Sequence, residues 1–107
     1  MNRVFLVGRL TKDPTVEYTK DKIARCNFSI AVDRNFATDE KQSTDFISCV
    51  AWRKQAENLA KYQKKGNKIL VEGRIQVDNY VNSEGSTVWT TTVVADSIEF
   101  LDKKESE

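Results

Sequence analysis

With 107 residues, 39% apolar and 31% charged, the chain has room for one domain with a modest core, and neither wholesale disorder nor a membrane span fits it. A net charge of +1 leaves the partner open, and the absence of histidine removes the commonest metal ligand and the commonest general base at neutral pH. Two cysteines, Cys26 and Cys49, support neither a disulfide framework nor a zinc site, so no cofactor and no metal is expected.

The amino-terminal run through Arg9 is too short for a signal-peptide core, and a cytoplasmic protein is expected. Val4–Leu10 is an apolar run ending at the turn signal Thr11-Lys12-Asp13-Pro14. Period-2 alternation marks Ile23–Val32 as a half-buried strand, with Ala24, Cys26, Phe28, Ile30 and Val32 on one face and Arg25, Asn27, Ser29 and Asp33 on the other. An exposed loop over 34–43 separates it from a third strand, Thr44–Trp52. Arg53–Lys65 has helix formers, Ala56, Leu59 and Ala60 at helical spacing, and Gly66 as an expected C′ residue. A fourth strand, Lys68–Tyr80, sets Ile69, Val71, Gly73, Ile75 and Val77 on its core face and Leu70, Glu72, Arg74, Gln76, Asp78 and Tyr80 on the other. The loop 82–86 then leads into a fifth strand, Thr87–Phe100, whose parity slips near Asp96-Ser97 and predicts a bulge there. All-β with one helix between strands 3 and 4 is the order of the OB-fold, a five-stranded Greek-key barrel.

In the third strand Ile47, Cys49 and Ala51 suit a barrel interior, which turns Phe46, Ser48, Val50 and Trp52 outward. Tyr80 is also outward, Phe36 sits in the polar loop, and Trp89 follows the last turn as a further platform or a subunit contact. Phe5, Phe28 and Phe100 read as core; Tyr18 and Tyr62 are left open, with packing favoured. Exposed rings with interleaved cations suit unpaired bases, each of which has a π-face to stack on. They suit packing against another subunit equally well at this stage. Between residues 53 and 80 seven Lys or Arg face three acids, which fits a phosphate-bearing partner or a solvated helix face. No nucleophile motif or Gly-rich phosphate loop is present, Glu57 and Asp45 read as surface charges or caps, and no enzyme is expected.

Ordered matches run through the chain: Asn2-Arg3-Val4, Leu6 to Pro14, Tyr18-Thr19, Ala31-Val32 with Arg34, Asp45-Phe46-Ile47, and Trp52 to Asn58. They continue in Lys64-Lys65-Gly66, Glu72 to Gln76 with Tyr80, and Val93 to Asp96. Over about residues 1–101 this resembles the bacterial single-stranded DNA-binding proteins. The resemblance implies an OB-fold domain over 1–101 and a homotetramer that wraps single-stranded DNA in replication, recombination and repair. It assigns base stacking to Phe36, Phe46, Trp52 and Tyr80. The cations expected on the DNA path are Arg3, Arg34, Arg53 and Lys54, with Lys61, Lys65, Lys68 and Arg74. The rival readings are an OB module for RNA and a replication-restart docking protein.

Typical members of that family carry a long tail with an acidic tip. Here residues 102–107 are expected to be a short, charged, disordered extension, so the chain resembles a short or tail-truncated form, of bacterial, phage or plasmid origin. Recruitment of repair and replication proteins through a tail is not expected of it. Glu17 stands where the family usually has Arg, and Asp78 where a basic residue often occurs. A salt titration should therefore give a shallower fall of affinity with salt than in a more basic relative, because the slope counts the phosphates neutralised.

Overall fold

The computed structural model describes residues 1–34 and 43–102. Phe36, with most of the loop expected over 34–43, and residues 103–107 of the expected extension lie outside the described residues. Among the described residues six strands and one helix follow in order: β1 (Val4–Leu10), β2 (Glu17–Tyr18), β3 (Ala24–Asp33), β4 (Thr44–Trp52), α1 (Lys54–Tyr62), β5 (Lys68–Val81) and β6 (Thr87–Phe100). The two-residue β2 is too short to carry a periodic signal. Its presence moves the helix from the expected place after the third strand to a place after the fourth.

β1 pairs along one side with β5, from Val4↔Gly73 to Arg9↔Lys68, and at its end with β3 through Arg9↔Ala31 and Leu10↔Ile30. The ring then closes through β3–β4, the parallel β4–β6 contact and β6–β5. The result is a closed barrel with the OB-fold topology. Cys26, Ile30, Ala51, Ile69 and Val71 fill its interior, and Ala56 and Leu59 of α1 join the same cluster fully buried. α1 has one apolar stripe and thereby becomes part of the core.

The expected bulge is present. Glu72 pairs with Ser97 and Gly73 with Ala95, which leaves Asp96 as the extra residue. Other expectations need correction. α1 stops at Tyr62 instead of continuing to Lys65, because Gln63 is extended and 3% exposed, and its side-chain Oε1 accepts from Asn67 Nδ2 at 3.1 Å. Gly66 has φ 90 but belongs to the following turn, where its N–H donates to the Leu10 carbonyl at 2.8 Å and the Leu10 N–H donates to Asn67 at 3.0 Å. Pairing with the end of β1 thus takes those backbone groups from the helix.

Phe5 is not core. It is 63% exposed on the outward parity of β1 with Val7, while Val4, Leu6 and Leu10 turn inward. An unbroken apolar run hides that alternation from the sequence. Ile75 and Val77 are exposed as well, although they continue the core face of β5. Partnering of β5 by β1 ends at Gly73 and that of β6 by β4 at Val93, so beyond Ile75↔Val93 the two strands form an arm in which they pair only with each other among the described residues. Val50 departs in the opposite sense: it is 8% exposed on the outer face, shielded beside Val94 on the neighbouring strand.

At Gly73, beside the bulge, the backbone of β6 lies close against β5. A Cβ there would run into the carbonyl of Val94. Gly73→Ala should therefore destabilise the fold by at least the usual overpacking cost of about 1–3 kcal/mol. Urea unfolding checks this through a lower midpoint at unchanged slope.

Candidate functional site

Alternation along β4 brings Phe46, Ser48 and Trp52 onto one outer face, with Phe46 63% and Trp52 38% exposed. Six residues of strand separate the rings, roughly 20 Å. Between them lies a groove of about 480 Å³. It is lined by Asn27, Phe28 and Ser29 on β3, Ser48 and Cys49 on β4 and Thr92 on β6, a mixture of polar and apolar surface. Ser29 and Ser48 are direct cross-strand partners. One rim is the segment from Thr11 to Thr15, which carries Lys12 and Asp13. That rim is held in place by Asp13, whose Oδ1 accepts from the backbone N–H of Lys65 at 2.8 Å, and by Thr11, whose N–H donates to Ser29 at 3.1 Å. The Lys65 backbone is thus fixed beside the groove.

At one end of the groove three strands line up a row: Glu17 on β2 faces Arg25 on β3, and Arg25 faces Trp52 on β4. The Arg25 guanidinium carbon stands 6.0 Å from the centre of the Trp52 ring, and one terminal nitrogen pairs with Glu17 at 3.2 Å. Next to the row, the Tyr18 hydroxyl donates to Glu57 at 3.1 Å, a bond that raises the Tyr18 pKa above its ordinary value.

The outer face continues along the arm. Arg74 donates to Gln76 at 3.0 Å and Gln76 to Asp78 at 3.0 Å, and Tyr80, 55% exposed, follows on the same parity. Trp89 is 65% exposed but pairs with Asn79, so it projects from the opposite face of the arm, together with Val77 and Val81. The structure therefore brings Phe46, Trp52 and Tyr80 to one face and leaves Trp89 off it.

The expected cations divide. Arg3 is ion-paired with Glu72. Arg34 grips Asp45 through Nε and a terminal nitrogen, the latter at 2.8 Å, and this holds the Asp45 carboxyl below its ordinary range. Lys61 sits over the Tyr62 ring at 5.2 Å. Arg53 and Lys54 are exposed immediately after Trp52. Lys68 begins β5, roughly 40 Å of strand from Tyr80, and lies in the cross-strand row Lys68↔Arg9↔Ala31↔Phe46. Sequence reasoning missed Arg25 and the groove floor as site residues. Their signal was the polar parity of β3, which shows a side and not a neighbour.

Neither cysteine offers chemistry at this face. Both are buried, and burial pushes the Cys49 thiol up to about 12. No helix among the described residues is long and apolar enough to cross a membrane.

A model described as the single-strand binding protein family matches residues 1–101. A single-stranded DNA-binding protein of Oceanobacillus iheyensis is 52% identical over all of this chain and 67% of its own length. One of Halalkalibacterium halodurans is 50% identical over all of this chain and 64% of its own length. The single-stranded DNA-binding protein 1 of Streptococcus pyogenes is 48% identical over 99% of this chain and 82% of its own length. The chain thus spans about two thirds of the first two relatives.

Arg53, the residue between Trp52 and α1, has φ 62 and ψ −130 and provides no side-chain cap. A non-glycine residue held there costs about 1–3 kcal/mol. Arg53→Gly should therefore stabilise the protein by about 1 kcal/mol, since the relief is partly offset by the roughly 0.5–1 kcal/mol of extra entropy that Gly loses on folding. Equilibrium unfolding of the variant against the parent measures the difference.

Proposed function

The chain belongs to the single-strand binding protein family, and from that premise we propose that it binds single-stranded DNA with little sequence preference. The family's members are DNA-binding proteins without enzymatic activity. The observation that carries the proposal is the groove on the barrel's outer face between the two outward rings, Phe46 and Trp52. Bases stack on these rings and on Tyr80, and Phe36 adds a fourth ring. Stacking tolerates any base, because every base has a π-face. The hydroxyls of Ser29, Ser48 and Thr92 and the amide of Asn27 can each donate and accept, so they meet the edges or sugars of different nucleotides without selecting one.

Phosphates meet the cations along this path: Arg53 and Lys54 beyond Trp52, Lys65 and Lys12 at the groove rim, and Arg74 at the base of the arm. Arg3 and Arg34 serve the strand to the extent that it competes with Glu72 and Asp45 for them. A duplex presents no free base faces. The buried stripe of α1 ties that helix to the barrel and gives no sign of a groove-reading role. Residues 1–101 form the binding domain in this reading. It acts as a homotetramer in replication, recombination and repair, in the cytoplasm of a bacterial cell. Exposed Phe5 and Val7 on β1 supply apolar surface suited to contact between subunits.

Addition of oligo-dT at low salt should quench Trp52 fluorescence, read in a Trp89→Phe background so that one indole reports. Phe46→Ala should weaken binding by about 1–3 kcal/mol, the magnitude common to base–aromatic stacking in single-strand-binding proteins as a class. Absence of quenching in the folded protein would refute strand binding and favour a docking role for the face. Preference for poly-U over poly-dT in competition would move the assignment to RNA.

A further inference from the structure

We propose that Arg25 is a phosphodiester-binding residue of the Trp52 end of the groove, and that Glu17 is a built-in competitor which occupies it in the free protein. The inference rests on the strand-binding reading above. Its starting point is the row Glu17↔Arg25↔Trp52, in which backbone pairing alone sets the three side chains side by side. Arg25 lies against the indole at 6.0 Å, so a nucleotide stacked on Trp52 brings its own phosphate within reach of the guanidinium.

The guanidinium is incompletely satisfied. Glu17 engages it through one terminal nitrogen at 3.2 Å, and Arg25 Nε is buried with no hydrogen-bond partner. Arg favours two parallel N–H bonds to a planar or tetrahedral oxyanion, and a single end-on carboxylate leaves that capacity unused. Glu17 is also the more readily displaced member of the pair: its side chain is 66% exposed, against 40% for Arg25. A phosphate oxygen would take the terminal nitrogen that Glu17 holds, while the displaced Glu17 carboxylate turns to solvent. Glu57, the other acid beside this row, accepts the Tyr18 hydroxyl.

The pair Arg25–Glu17 is electrically neutral before binding, so it adds little to counterion release while Glu17 remains charged. Removing that charge should expose one more phosphate contact. For a single strand each contact contributes about 0.7 to the slope of log affinity against log salt.

The test is a double-mutant cycle on the full chain, with oligo-dT as probe and salt titrations of Glu17→Gln, Arg25→Gln and the double variant, each checked for an unchanged thermal melt. Glu17→Gln should bind more tightly than the parent with a slope steeper by about 0.7. In the Arg25→Gln background the same substitution should leave the slope unchanged. Equal steepening in both backgrounds would overturn the inference, since it would reduce Glu17 to a general negative charge near the strand. No steepening in either would overturn it as well. In both cases the parent still binds oligo-dT, so the strand-binding reading stands. A parent that binds no oligo-dT at low salt would sink both.

Discussion

β1 is paired on both of its sides, and the rest of the molecule follows from that. Val4 to Arg9 bind it to β5, and Arg9 and Leu10 at its end bind it to β3. An open sheet of these strands would leave β1 and, beyond its two residues paired with β2, the rest of β3 unpartnered on one side, and would expose the apolar parity of each. Closure removes the edges and gives the inward residues a shared interior. The close approach has a cost in side-chain space: a Cβ at Gly8 would stand 2.6 Å from the Ala31 carbonyl oxygen. Because the small barrel has no room for a second layer, α1 enters its core with Ala56 and Leu59 fully buried.

Closure also determines where a ligand can lie. Interior parity is used up by packing, so the outer parity of β3, β4 and β6 carries Asn27, Ser29, Ser48 and Thr92 under the segment from Thr11 to Thr15. The outcome is a groove flanked along β4 by an aromatic ring on either side. Where β5 and β6 outrun their partners, the same two strands become an arm whose faces serve different surroundings. Tyr80 extends the groove side, while Trp89, Val77 and Val81 form an apolar opposite side.

Several cations on this face are matched by local acids. Arg25 with Glu17, Arg34 with Asp45, and Arg74 linked through Gln76 to Asp78 each set a cation against an acid. Solvent-exposed pairs of this kind contribute little to stability. Their consequence lies in binding, where a polyanion must compete with a carboxylate for each cation. The rings then carry a larger share of the recognition than the net charge of the face does.

Much of the fold was legible because its signals are local. Alternation located β3 and β4, a change of period located α1, and a parity slip located the bulge at Asp96. Phe46, Trp52 and Tyr80 were legible as outward for the same reason, and a family resemblance added what they could bind. What stayed hidden is whatever depends on a second strand. The burial of Val50, the exposure of Phe5, Ile75 and Val77, and the opposite facing of Trp89 all turn on which neighbour covers a given side. Arg25 is the clearest case. By itself the sequence determined that it points outward, since side chains in a strand alternate. Only the tertiary structure decided that it lies between a carboxylate and an indole, because cross-strand register joins residues far apart in the chain and no local pattern encodes it.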